Sequence, residues 1–199
     1  MKKGKMMLNK LIKKYLKVQD GIIFHISPIN YAKPMVLFLK EKYKYDVKGL
    51  TGVEVGVFIG RNALTMLRLL NIKRLYLIDP FVKYKYMNTM DSKEQGDMLY
   101  GSLKRRMKKY NEKVSIIRKS SAEAIEDIPS NLDFVYLDGD YDYLKYEIKL
   151  WYDKLKIGGV LGGYAFTPQY IVSNVVLDFG NRFGLKVQWS INDWWIIKK

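Results

Sequence analysis

The stretch 53–62, VEVGVFIGRN, constrains the chain more than any other: an apolar strand pattern runs into Gly56 and Gly60 and then directly into a helical pattern. That order predicts a strand, a tight turn and a helix. The first glycine lets the chain turn at little steric cost, and the second, at the helix start, permits close approach of backbone to a bound ligand. The free N–H groups of such a helix start attract an anion. A second strand pattern, 74–79, RLYLID, ends in Asp79 a little over 20 residues after Gly56, about where nucleotide-binding folds put a carboxylate on ribose hydroxyls. Glycine turn and distal acid together read as a nucleoside pocket. The spacing Gly56-x-x-x-Gly60 lacks the G-x-G-x-x-G of dinucleotide binders, so no pyrophosphate cradle is expected, and an acid, Glu54, precedes the turn.

At 199 residues the chain has room for one central sheet covered by helices, and 48% hydrophobic residues support a packed core. The absence of cysteine excludes disulfides and Cys-ligated zinc, and a single histidine, His25, excludes a His-rich metal site. As the sole imidazole, His25 is either a base reaching in from the N-terminal stretch or a satisfied structural residue. No apolar run reaches transmembrane length, and the lysine-studded start does not read as a signal peptide, so a cytoplasmic setting is expected. The formal charge of +15 would suit nucleic acid or an anionic surface. Lysine outnumbers arginine about fourfold, however, whereas phosphate and base recognition recruits arginine, so a solvated surface is the favoured reading.

Residues 1–18 carry an apolar stripe (Met7, Leu8, Leu11, Ile12, Tyr15, Leu16) opposite lysines, the pattern of a basic amphipathic helix. With an apolar run at 21–25 and a second helix over 34–44, it forms an N-terminal cap. From Leu50 onward strand and helix alternate: strands are predicted near 50–55, 74–79, 113–118, 132–137 and 158–163, and helices near 60–70, 92–110, 142–154 and 168–182. Ser92-x-x-Gln95 reads as a capping box and Thr167-Pro168 as a helix start. The segments 185–189 and 194–198, joined by 190–193, form a hairpin. The aromatic and lysine-rich loop 80–90 follows the strand ending at Asp79, which places it at the carboxyl edge of the sheet. The helix over 92–110 should run away from that edge and carry its basic cluster, Lys104 to Lys109, far from the pocket.

The pattern Glu54-x-Gly56-x-x-x-Gly60 resembles motif I of the class I S-adenosylmethionine-dependent methyltransferases. A second match is more specific. LDFVYLDGDYDY at 132–143, then Trp151 and LKIGGVLGG at 155–163, is similar to the methyltransferase family with "DGDHSY" after its fourth strand and "LKPGG" before its fifth, a family related to the catechol-type O-methyltransferases. The closing DWWIIKK resembles that family's last strand, so the likeness covers about 50–199.

The resemblance implies a Rossmann-like α/β fold: a mostly parallel seven-stranded sheet with helices on both faces and an antiparallel C-terminal strand. It implies residues 49–199 as the S-adenosylmethionine-binding domain and a methyltransferase acting on a small-molecule acceptor, with a hydroxyl the expected target; residues 1–48, outside the likeness, are read from their own pattern as the cap or lid. Glu54, Gly56, Phe58, Gly60 and Asn62 would shape the cofactor pocket, Asp79 would take the ribose hydroxyls, Ser121 and Ala122 the adenine, and Asp138 would border both the reactive sulfonium and the acceptor. Ser120 and Ser121 read equally well as an ordinary helix N-cap.

Two departures bear on chemistry. Tyr141 stands where the family has His, and Tyr164-Ala165-Phe166 where it has His-Asp-Tyr. Without an acid at that second place, Asp138 and Asp140 lack the oxygen partner that holds a divalent ion in metal-dependent relatives, and no dedicated metal is expected. Asp138 and Tyr141 are the candidate catalytic pair. A phenol with an ordinary pKa of about 10 is a poor base at neutral pH, so the tyrosines orient an acceptor or pack at a pocket rim. Two other readings stay open: an RNA methyltransferase using the basic surface, and a relative that binds S-adenosylmethionine without catalysis. A homodimer is also left open.

Overall fold

The computed structural model describes residues 32–82, 92–167 and 171–199. The first described helix, α1 (Pro34–Lys42), starts with proline at its first position, where the missing N–H costs nothing. Strand β1 (Leu50–Val55) follows and feeds α2 (Arg61–Leu69) and β2 (Ile72–Ile78). Helix α3 (Lys93–Met107), extended by a 3-10 turn at Lys108–Tyr110, leads to β3 (Val114–Ile117). A single helical turn, α4 (Ser121–Ala124), a 3-10 turn at Ile125–Asp127, β4 (Leu132–Leu137), α5 (Leu144–Lys154) and β5 (Leu155–Gly163) come next. The chain closes with α6 (Ile171–Arg182), β6 (Gln188–Ser190) and β7 (Asp193–Ile197).

The seven strands lie in the order β3-β2-β1-β4-β5-β7-β6. Pairs among β1 to β5 are parallel, while β7 runs antiparallel to both β5 and β6. Strand order therefore reverses direction between β1 and β4, and the crevice at the carboxyl ends of those two strands is where open α/β sheets take ligands. This is the expected Rossmann-like architecture with helices on both faces.

Alternation along the strands builds the two faces. Leu75, Leu77, Phe134, Tyr136 and Val160 pack with Met35, Val36 and Leu39 of α1, with α2 and with α3. Val53, Val55, Val135, Leu137 and Leu161 point the other way, onto α4, α5 and α6. Glu54, between two residues of the second face, is thus directed to the first, the face of α1 and α2.

Several boundaries differ from expectation. Strand β5 begins three residues earlier than 158, and β2 covers 72–78 rather than 74–79, so Asp79 is the first residue beyond it. The hairpin turn is only Ile191 and Asn192, because Asp193 belongs to β7 and pairs with Ser190. Ser92 caps α3 by accepting from the Gln95 N–H at 3.4 Å. The amphipathic segment 1–18, His25, most of the loop 80–90 and the Pro168 helix start lie outside the described residues.

Asp193 explains why α1 docks where it does. This carboxylate, 1% exposed, accepts the Met35 N–H at 3.1 Å and the Tyr136 hydroxyl at 3.0 Å. Helix α1 has no acid in its first turn and no side-chain cap of its own, so a residue of β7 supplies the anion its N-terminus needs. Replacing Asp193 by Ala leaves a buried N–H and a buried hydroxyl unpaired, which should cost about 1–3 kcal/mol. Tyr136→Phe removes only one of the two bonds and should cost less. Urea unfolding of the two variants checks the order; equal losses would mean that the Met35 bond adds nothing.

Candidate functional site

The turn after β1 is left-handed at three places: Gly56 (φ 80°), Phe58 (φ 51°) and Gly60 (φ 76°). Glycine is required at 56 for a second reason, since a Cβ there would lie 2.1 Å from the Asp138 carbonyl oxygen. The ends of β1 and β4 therefore meet backbone to backbone. Gly60 departs from expectation: the space of its missing Cβ is taken by Leu103 Cδ1 at 2.5 Å and Met107 Cε at 2.8 Å, so this glycine admits helix α3 rather than exposing backbone to a ligand. The same contact corrects the placing of the basic cluster. Arg106 Cδ lies 4.0 Å from that Cβ position, so this part of α3 passes beside the glycine turn instead of far from it.

Asp79 holds the turn. It accepts the Phe58 N–H at 2.9 Å through Oδ2 and the Phe81 N–H at 2.8 Å through Oδ1. Phe81 is itself left-handed (φ 54°), so one carboxylate fixes two strained loop starts. Burial raises its pKa, against the lowering effect of those N–H groups and, more weakly, of Arg118. Each oxygen retains acceptor capacity for a further hydrogen bond.

Glu54 and Asn62 place buried polar atoms on either side of the glycine turn. Glu54 is 2% exposed, and burial pushes its carboxyl up to about 8; Asn62 and Lys33 lower it, while Asp138 and Asp79 raise it further. Asn62 lies beside Glu54 without hydrogen-bond geometry. Among the described residues, Glu54 Oε2 and both Asn62 Nδ2 and Oδ1 are buried with no hydrogen-bond partner. Buried polar groups are nearly always paired, so a carboxyl oxygen and a whole carboxamide left open in one place are what a polar ligand would satisfy.

Asp138, just beyond β4, accepts the Tyr141 hydroxyl at 2.9 Å. Burial brings its carboxyl up to about 7, with Lys33 and the Tyr141 bond lowering it and Asp193 raising it. The two candidate catalytic residues thus stand together, next to Glu54. Tyr164, at the end of β5, receives a hydrogen bond from Asn192 at 3.4 Å and has the Lys33 ammonium 3.2 Å from its ring centroid. Among the described residues no group of three or more His, Cys, Asp or Glu is placed to hold a metal ion.

Ser120 is the N-cap of α4 in a full capping box with Glu123. Ser121 instead is buried and accepts the Trp151 indole N–H at 2.8 Å. Burial raises the nearby Glu147 carboxyl to about 7, with the Ser121 hydroxyl lowering it and Asp140 adding to the rise. Ala122 is exposed. Reasoning from sequence missed Lys33 and Glu147, which belong to no recognisable motif, and Tyr136 and Asp193, which lie inside the motif segments without having been singled out.

A family model described as a methyltransferase domain matches residues 53–163, more than half of the chain. The chain belongs to this methyltransferase family. It is an enzyme by that membership, and its fold is that of S-adenosylmethionine-dependent methyltransferases. A putative caffeoyl-CoA O-methyltransferase from Staphylococcus aureus aligns with a TM-score of 0.61 at 13% identity, over 98% of this chain and 100% of that one. An SAH-bound methyltransferase from Podospora anserina aligns at 0.57 and 14% identity, over 83% and 76%. A putative RNA methyltransferase from Pyrococcus horikoshii aligns at 0.55 and 13%, over 82% and 81%. An uncharacterized protein of Acanthamoeba polyphaga mimivirus is 24% identical over 143 residues, a match spanning 67% of this chain and 62% of that protein.

The raised carboxyl of Glu54 sets a pH signature for the methyltransferase without ligand. A carboxyl whose folded pKa exceeds its unfolded value stabilises the fold fully below the unfolded value and loses that contribution as pH rises through the folded one. The window here runs from about 4.5 to about 8. Glu54→Gln should therefore raise the Tm above pH 8 and leave it nearly unchanged near pH 4.5. A gain of equal size at both ends would mean that Glu54 is ionised throughout.

Proposed function

We propose that this protein is a class I methyltransferase of the group with the DGDHSY-like motif, which transfers the methyl group of S-adenosylmethionine to a hydroxyl of a small molecule. The observation that carries the reading is the open polar set at the switch point, Glu54 Oε2 and the Asn62 carboxamide. These residues fit the cofactor: an acid and an amide acceptor suit the ammonium of its methionine part, while the amide's N–H groups suit its carboxylate. Asp79 has acceptor capacity for ribose hydroxyls, Gly56 and Phe58 shape the wall, and Ser121 and Ala122 lie on the adenine side. When bound, the cofactor supplies an activated methyl on sulfur.

The chain's own residues then have modest work. Asp138 and Tyr141 orient the acceptor hydroxyl, and Asp138, held near neutrality at about 7, takes its proton. Holding the acceptor oxygen in line with the methyl carbon supplies most of the remaining advantage. No metal is needed for this scheme.

Calorimetry with S-adenosylmethionine and S-adenosylhomocysteine tests the cofactor assignment. Both should bind, and Asn62→Ala should weaken each by roughly 1–3 kcal/mol as buried partners are lost. If neither binds the parent at millimolar levels, the assignment is wrong.

A second reading, RNA as acceptor, draws on the approach of Arg106 to the glycine turn and on the +15 charge. Any strongly basic protein shows salt-dependent binding, so the discriminating quantity is affinity at physiological salt. For a small-molecule enzyme, RNA should bind no tighter than the weak micromolar level of non-specific contacts, and Gln at Lys104, Arg105, Lys108 and Lys109 should leave methyl transfer intact. Tight binding that collapses together with transfer in that variant would favour RNA.

A further inference from the structure

Among the described residues, the acceptor end of the crevice contains one cation that no motif announces. Lys33 precedes α1, and its ammonium sits 3.2 Å from the centroid of the Tyr164 ring at the end of β5. It is only partly exposed and, among the described residues, forms no close ion pair. Three carboxyls surround it at longer range: Glu54 of β1, Asp138 beyond β4 and Asp193 of β7. Its place is fixed from both sides, by the Tyr164 face and by the Asp193 bond to the Met35 N–H two residues on. A lysine costs several rotors to immobilise, so one held on an aromatic face inside a crevice calls for a partner that arrives there.

We propose that Lys33 is the cation of the acceptor site, its ammonium stabilising the negative charge that gathers on the acceptor oxygen while Asp138 takes the proton. In this role it replaces the divalent ion of metal-dependent relatives, whose oxygen ligand set this chain lacks at 164–166. The proposal rests on the methyltransferase reading above. The step balances without an added reagent. The acceptor O–H bond breaks and its proton passes to the Asp138 carboxylate. The oxygen lone pair forms the new bond to the methyl carbon, and the carbon–sulfur bond breaks with its electron pair remaining on sulfur. Lys33 keeps its own proton throughout.

Among the described residues the groups facing Asp138 are Lys33, Tyr141, Asp193, Glu54 and Tyr136, and Lys33 is the one positive charge in that set. Two measurements on the protein without cofactor test its role. The first follows the Asp138 carboxyl by carbon NMR, with Asp138→Asn identifying the signal. Lys33→Met should raise the proton affinity of Asp138 about tenfold or more, and Lys33→Arg should restore it. The second follows binding of 4-nitrophenol by its visible absorbance. The parent and Lys33→Arg should hold it as the phenolate, and Lys33→Met should bind that anion at least several-fold more weakly. An Asp138 titration indifferent to Lys33, or a parent that fails to bind the phenolate more tightly than Lys33→Met does, overturns the proposal. Neither readout involves S-adenosylmethionine, so failure of the cofactor reading is registered separately by calorimetry.

Discussion

The carboxylate of Asp79 is the interaction on which the site's shape depends. Its two oxygens bind the N–H groups of Phe58 and Phe81, each in a left-handed conformation that side chains other than glycine adopt only at a cost. Charge-assisted hydrogen bonds are stronger than neutral ones and offset that cost. The consequence reaches beyond the two turns. Phe58 fixes how the chain leaves β1 for α2 and so sets the position of Asn62; Phe81 fixes how it leaves β2, and its carbonyl lies where a side chain at Gly96 would intrude. One buried acid thus coordinates the exits of two neighbouring strands.

The electrostatics of the crevice oppose those of the molecule. A chain of net charge +15 gathers Glu54, Asp79, Asp138 and Asp193 at the carboxyl edge, each with its pKa raised first of all by burial. Desolvation outweighs the local hydrogen bonds at every one of them. Such a site suits ligands that bring a cation, and a negative charge formed at its acceptor end depends on the Lys33 ammonium for its balance.

What the sequence made legible was local. The strand patterns at 50–55 and 132–137, the turn at Gly56, the place of Asp79 at the exit of β2 and the cap at Ser120 all follow from residue type and short spacing. The proximity of Asp138 and Tyr141 belongs to the same class, three residues apart across one turn. Gly60 was misread because a glycine admits either a ligand or a helix, and only the packing of Leu103 and Met107 decides between them. Ser121 turned out to face Trp151 and Glu147, 30 and 26 positions on, a pairing set by how α5 lies on the sheet. Lys33 and Asp193 were illegible for the same reason. Each looks like an ordinary surface or turn residue until β7 inserts beside β5 and carries Asp193 to the start of α1.

That insertion has a temporal consequence. The Met35–Asp193 bond spans 158 positions, nearly the whole chain. During synthesis at about 5–20 residues per second, α1 leaves the ribosome on the order of ten seconds or more before the strand that caps it. Until then the segment carrying Lys33 lacks its Asp193 anchor, although the glycine turn, Asp79 and Asp138 can already be in place. Strand β7 is therefore made after the helix α1 whose start it caps, so a nascent chain assembles its nucleoside side before it completes its acceptor side.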